Sequence, residues 1–370
     1  MKRNYSEYLG RIGLLLFSAL TVVFVSEIAL RIADYDPLQR LRIGRELLLR
    51  PSTNGDVRYQ LTPGAKVPAW DIEINAHGHR GRMGTFGKFA GFRILVAGDS
   101  ITFGNHLPVE ATYAHQLHHL LNESGTPYEV LNLAVGGYDV LQEVAQLEDI
   151  APIYEPDMLV VGFCLNDVGI ASLNLEYIER VSEYRSGTRF RLRALQYVVS
   201  RIERLRLGSW LAEKNRPEVF ASDYANRIVH IGADEYRLRE LLERAPDRYP
   251  SHWYRSEERI GRLRHAFARL SELAARESST VVVVVIPWLE GKQDDYRHGV
   301  AHQMVAMEAQ RVGFDVVDLL PDFTAVGMES LRISEGDLVH PNRRGHTIAA
   351  EKLAEYIRDV LLDRPSNAPQ

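Results

Sequence analysis

From Ile12 to Ser26 the chain reads IGLLLFSALTVVFVS without a charge, and Ile28, Ala29 and Leu30 carry the apolar run past Glu27. A helix rises about 1.5 Å per residue, so residues 12–30 reach roughly 28 Å, close to the ~30 Å hydrocarbon core of a bilayer. The pattern predicts a transmembrane anchor over 12–30 behind a short tail, 1–11, in which Lys2, Arg3 and Arg11 form a basic flank. No small-x-small cleavage site follows, so an uncleaved anchor is expected ahead of a removed signal or a buried helix. Arg31, Arg40, Arg42 and Arg45 lie on the far side and leave the orientation open by charge count.

Residues 31–91 read as a polar, irregular connector, with turns at Pro63-Gly64 and in the stretch NAHGHRGRMGTFG, 75–87. His77 and His79 alternate there without carboxylate or thiol neighbours, so loop polarity is the expected role ahead of metal ligation. From Phe92 the period changes. Strand-like RILVAG, a helical stretch over 113–122, strand-like EVLNLAV at 129–135, a helical stretch over 140–150 and strand-like MLVVGF at 158–163 follow at βαβ spacing. That alternation predicts a parallel sheet. It resumes at TVVVVVIP, 280–287, a valine run suited to a strand buried on both faces. A helical stretch over 298–312, FDVVDL at 314–319 and a last helix over 343–362 complete a domain over 92–363, leaving a tail at 364–370.

Between 168 and 279 the pattern is helical without a strand signal and reads as an insertion. Arginines crowd between Arg185 and Arg206 against the single acid Glu203, with Phe190, Leu192, Leu195, Tyr197, Val198 and Ile202 interleaved. A solvated helical face is the first expectation. The other is a lid, in which Arg189, Arg191 and Arg193 meet an anionic substrate or lipid head groups.

A chain of 370 residues has room for a sizeable core in one large domain or two ordinary ones. A formal net charge of −5 gives no reason to expect nucleic acid. The single cysteine, Cys164, excludes an intrachain disulfide and, at the end of an apolar strand, reads as core rather than nucleophile.

The candidate chemistry lies at strand ends, where open α/β sheets keep their sites. In LVAGDSITFGN, 95–105, an apolar strand empties into Gly-Asp-Ser, a sequence that on its own is often just a turn. LNLAVGGYD puts Gly136-Gly137 after a strand, and GFCLND puts Asn166 and Asp167 just past another. In GDLVHPNRRGH, Asp337 and His340 lie three apart, close enough to face one pocket as orienter and base.

Ser100 in GDS, Gly137 in AVGGYD, Asn166 in LND, and Asp337 with His340 in DLVHPN resemble, in order and spacing, the blocks of the SGNH (GDSL-type) hydrolase family. The resemblance spans about 92–170 and 280–360 and implies a flavodoxin-like three-layer α/β/α fold. Cys164 stands where the family usually has glycine, and Ile101 where leucine is common. In the roles implied, Ser100 is the nucleophile, His340 the base and Asp337 its orienter. The amides of Ser100 and Gly137 and the side chain of Asn166 form the oxyanion hole. Asp99 is structural, and no cofactor or metal is called for. The N-terminal segment also resembles an anchored bacterial subgroup, which implies a single-pass inner-membrane protein with its catalytic domain in the periplasm. The expected activity is that of a serine esterase or deacylase on O-acyl groups of a cell-envelope carbohydrate or lipid-linked substrate. An O-acyltransferase with the same triad and a non-catalytic glycan-binding or assembly protein are the alternatives. The membrane is an expected partner, and protein partners stay open.

Overall fold

A computed structural model describes residues 2–35, 48–67, 71–123, 125, 127–169, 192–214, 228–231, 234–237, 250–290 and 296–362. They fall into two compact units, Met1–Glu46 with Asn174–Arg216, and Leu47–Leu173 with Pro217–Gln370.

In the smaller unit, helix α1 (Lys2–Ile32) carries a 25-residue apolar stretch, Tyr8–Ile32, of mean hydropathy 2.2, long enough to cross a membrane. The helix overruns the expected 12–30 at both ends, because polar flanking residues continue its hydrogen bonding. Beside it runs helix α5 (Arg193–Lys214). The buried Glu27 pairs with Arg31 at 2.6 Å and accepts the Ala194 amide at 2.9 Å, in the first turn of α5 where amides lack helical partners. Arg193 returns the contact: its guanidinium donates to the carbonyls of Leu30 (3.1 Å) and Tyr35 (3.4 Å) and pairs with Asp34 at 3.3 Å. This lid candidate is therefore committed to the end of α1, where a cation suits the last carbonyls. Arg185, Arg189 and Arg191 lie outside the described residues.

The larger unit opens with two hairpins where an irregular connector was expected. Strands β1 (Leu49–Pro51) and β2 (Tyr59–Leu61) pair antiparallel, as do β3 (Lys66–Val67) and β4 (Ile72–Glu73). Elements of two or three residues are too short to show a period. Leu48, Tyr59, Ile72 and Ile74 are buried all the same, so this stretch is part of the folded body.

The sheet follows: β5 (Phe92–Gly98), β6 (Tyr128–Asn132), β7 (Met158–Cys164), β10 (Thr280–Ile286) and β11 (Asp315–Asp318), all parallel, in the spatial order β6-β5-β7-β10-β11. Ranked along the chain this is 2-1-3-4-5, the flavodoxin-like order. Val282 to Val285 have no exposed surface, as their valine run predicts. Helix α3 (Tyr113–Asn122) packs with α9 (Arg343–Leu362), and α4 (Val140–Tyr154) packs with α6 (Glu257–Glu277), which also touches α7 (Gly299–Gln310).

Three elements correct the reading of 168–279 as a strandless insertion. Its last part is α6, the crossover helix between β7 and β10. Ile260, Leu263, Phe267, Leu270 and Ala274 are buried at helical spacing beneath a charged outer face. Further back, β8 (Ile228–Ile231) and β9 (Asp234–Arg237) form an antiparallel hairpin of four-residue strands.

One buried cation fastens the connector to the sheet. Arg93, with no exposed surface, pairs with Glu129 at 2.5 Å and donates to the carbonyls of Gly87, Tyr154 and Thr85. Every side of its guanidinium meets an acceptor, which is what lets a charge sit in the core.

Candidate active site

The stretch that follows β5 is shaped by two glycines. Gly98 of β5 pairs with Gly162 of β7, and a Cβ on either would lie 2.3 Å or 2.2 Å, respectively, from Thr102 Oγ1. Without side chains there, the single-turn helix α2 (Ser100–Phe103) seats on the strand ends. Asp99 caps it, its Oδ1 accepting the Ile101 amide at 2.8 Å. Ser100, the first residue of α2, thus stands between β5 and β7, the first and third strands of the five-stranded sheet in chain order, where the strand order reverses.

His340 and Asp337 come from the loop before α9. Ser100 Oγ lies 3.0 Å from His340 Nε2, and His340 Nδ1 lies 2.8 Å from Asp337 Oδ2. The other carboxylate oxygen accepts the amides of Val339 and His340, each at 2.9 Å. Burial works against charge on Asp337, but hydrogen bonds from the His340 ring and these two amides prevail and hold its carboxyl below the usual range. A carboxylate at Nδ1 fixes that nitrogen as the donor, so Nε2 of the neutral ring is an acceptor. The Ser100 hydroxyl then has a choice of acceptors, Nε2 at 3.0 Å and Asp99 Oδ2 at 3.2 Å.

Gly137 lies in the turn after β6 at φ +86°, a turn tied to β5 by the Val135 amide on the Gly98 carbonyl at 3.1 Å. Asn166 lies in the turn after β7, and its buried Oδ1 has no partner among the described residues. Both residues therefore follow strands adjacent to β5, at the same sheet edge as Ser100. Neither hydrogen bonds to Ser100 among the described residues. Beneath the turns sit Asp99, Glu143 and Asp167, all buried. Burial first, then the neighbouring carboxylates, pushes the Glu143 and Asp167 carboxyls up. Burial likewise pushes up the thiol of Cys164, which has no exposed surface.

Two further histidines lie in the stretch before β5. His77 meets the Tyr154 hydroxyl at 2.7 Å and stacks on Phe86, while burial lowers His79 to about 4. A second serine–histidine–carboxylate contact joins Ser251, His298 and Glu290 at 2.5 and 2.6 Å. The His298 and Glu290 side chains keep 0% and 13% exposure, whereas those of His340 and Asp337 keep 17% and 21%, so of these two contacts the Ser100 one is the more open to solvent. Sequence reasoning missed His106, whose ring stands edge-on to His340 at 5.9 Å, and Arg80, which grips the loop after α2. A lone histidine and a lone arginine in turns carry no pattern that separates them from surface polarity.

A hydroxyl, an imidazole and a carboxylate in line can draw the proton from a serine oxygen. Set at the edge of a flavodoxin-like sheet, that arrangement is the one expected of SGNH-type esterases. The chain belongs to the GDSL-like lipase/acylhydrolase family, whose pattern it matches over residues 96–348. Among solved structures it is similar to a catalytic mutant of Axe2, an acetylxylan esterase from Geobacillus stearothermophilus, at 18% identity and a TM-score of 0.39, covering 72% of this chain and 94% of that one. It is also similar to the acetyl xylan esterase AlAXEase, at 15% identity and a TM-score of 0.40, covering 72% and 100%. TesA is similar at 13% identity and 0.40, covering 72% and 99%. No curated protein matches the chain.

The glycine constraint makes opposite expectations for two Gly→Ala changes. Gly162→Ala sets a methyl against Thr102 and Tyr113 and should destabilise by about 1–3 kcal/mol. Gly261→Ala, inside α6 with nothing within 4 Å of the new carbon, should stabilise by roughly 0.5–1 kcal/mol. Urea denaturation measures both, and equal effects at the two positions would refute the seating of α2.

Proposed function

We propose that this protein is a membrane-anchored serine esterase that removes O-acyl groups from a cell-envelope carbohydrate or lipid-linked substrate through a covalent acyl-enzyme. The observation that carries the reading is the 3.0 Å contact of Ser100 Oγ with His340 Nε2, backed by Asp337. Ser100 attacks the acyl carbonyl as His340 takes its proton, and Asp337 steadies the imidazolium. The amides of Ser100 and Gly137 and the Asn166 side chain receive the oxyanion. The places of Asn166 and of the side-chain-free Gly137, in turns that follow the two strands flanking β5, support that role. Collapse of the tetrahedral species expels the alcohol, which takes the proton back from His340. Water then attacks the acyl-Ser100 ester, again giving its proton to His340, and releases the carboxylic acid and free serine.

The anchor reading, residues 12–30, is supported by the exposure of α1. Leu14, Leu15, Leu16, Phe17, Leu20 and Phe24 are each more than half exposed in the structure, and only 6% of the apolar stretch is buried within the protein. A helix apolar all round needs an apolar surround. On this reading the catalytic domain faces the periplasm.

Ser100→Ala and His340→Ala should each lower kcat on an activated acetyl ester by at least about 10³-fold. Asn166→Ala should cost on the order of 10²–10³-fold, as the loss of one oxyanion donor does. Product analysis should find the acid released to water rather than moved to an added sugar. Wild-type turnover in the Ser100 or His340 variant would overturn the reading.

Since the ring must be neutral to accept the serine proton, kcat/KM should fall on acidification. Asp337, held low, adds none of its own in the neutral range. A kcat/KM that does not fall on acidification would contradict the base.

The full chain should stay in the membrane fraction through a high-salt wash and leave it with detergent, and a variant lacking residues 1–32 should be released. Salt extraction of the full chain would remove the anchor.

A further inference from the structure

The Gly-rich stretch 75–87 has so far no part in the chemistry, yet it is tightly organised. Asn75 Oδ1 accepts the amides of His77 (2.9 Å) and His79 (3.0 Å), and its Nδ2 donates to the carbonyls of Gly81 (3.2 Å) and Arg82 (3.0 Å). With Gly78 turning at φ +82°, the segment folds back on itself, and Arg80 forms β-bridges to both Ile74 and Asn132 at the end of β6. Arg80 is thereby delivered to the side of the nucleophile turn, 1% exposed.

There its guanidinium donates to the carbonyls of Phe103, Gly104 (2.6 Å) and Leu107, and lies 4.7 Å from the Phe103 ring centre. Asn132 Nδ2 adds a bond to the carbonyl of Thr102 at 2.9 Å. These acceptors are the end of α2 and the loop after it, the groups a helix terminus leaves without internal partners. A helix of four residues has too few bonds of its own to keep its shape. Asp99 fixes one end, so the other must be fixed from outside.

We propose that Arg80 is a positioning residue, holding Ser100 in line with His340 by locking the far end of α2. The inference rests on Ser100 being the nucleophile. Burial lowers the Arg80 guanidinium to about 10, with Asp71 and Glu110 opposing, so it keeps its charge at neutral pH. Arg80 also borders a cleft of about 530 Å³ with Arg82 and His115, where an arginine could instead bind substrate. Its bonds to separate carbonyls occupy both terminal nitrogens, which favours positioning. Lysine, a point charge without the planar fork, reproduces this only in part.

The test compares Arg80→Gln and Arg80→Lys with the wild type in turnover of a small activated acetyl ester and in the rate of Ser100 labelling by a fluorophosphonate, located by peptide mass mapping. Arg80→Gln should lower kcat and the labelling rate together by about 10²-fold, the effect of a displacement near 1 Å, with KM changed less than about threefold. Arg80→Lys should recover part of both rates, and it stands in if Arg80→Gln does not fold. Wild-type kcat and labelling in either folded variant, or a raised KM at unchanged kcat, would overturn the positioning role alone. Absence of label on Ser100 in the wild type would overturn the nucleophile reading and this one with it.

Discussion

The site depends on two absent side chains. Gly98 and Gly162 face each other across β5 and β7, and the space a Cβ would fill is taken by Thr102. The Thr102 hydroxyl meets the Tyr113 hydroxyl at 3.0 Å, and the Tyr113 amide donates to His346 Nδ1 at 3.1 Å. His346 can accept because burial, with Arg80 and His340 nearby, lowers it to about 3 and keeps it neutral. It belongs to α9, the helix that follows the loop of His340. One run of close contacts therefore links β7, α2, α3 and α9, and brings together side chains 240 positions apart in the chain.

Electrostatics follows from the same seating. The turns at the strand ends stand over Asp99, Glu143 and Asp167, while Asp139 at the start of α4 pairs with Arg262 of α6 at 3.0 Å. Carboxyls with no cation beside them are cheapest when neutral, and burial drives Glu143 and Asp167 that way. Asp337 has the opposite setting: its oxygens meet two amides and the His340 ring, so it keeps its charge next to the imidazole. Asp337 thus keeps its negative charge where His340 needs it, while burial disfavours charge on Glu143 and Asp167.

The sheet was readable because its strands are buried on both faces and its helices recur at βαβ spacing; β5, β7, β10 and α9 lie close to where the apolar runs put them. The strand-end motifs were readable because turns there need Gly, Asp and Asn for backbone reasons. The connector was not: β3 and β4 have two residues each, and the order of 75–82 comes from one asparagine side chain and the turn at Gly78. The place of α6 between β7 and β10 is hidden in the sequence, because its charged face masks a buried stripe from Ile260 to Ala274. Arg80 escaped notice because its acceptors are backbone carbonyls more than twenty positions away, which leave no mark on residue type.

The central claim is that Ser100 itself carries the acyl group between substrate and water. The most direct test mixes the enzyme with an activated acetyl ester, quenches in acid before the first turnover completes, and maps the peptides by mass. The account predicts the mass of one acetyl group on the peptide containing Ser100, appearing as fast as the first equivalent of alcohol is released. Acetyl on another residue, or release of alcohol and acetate together with Ser100 unmodified throughout, would contradict it.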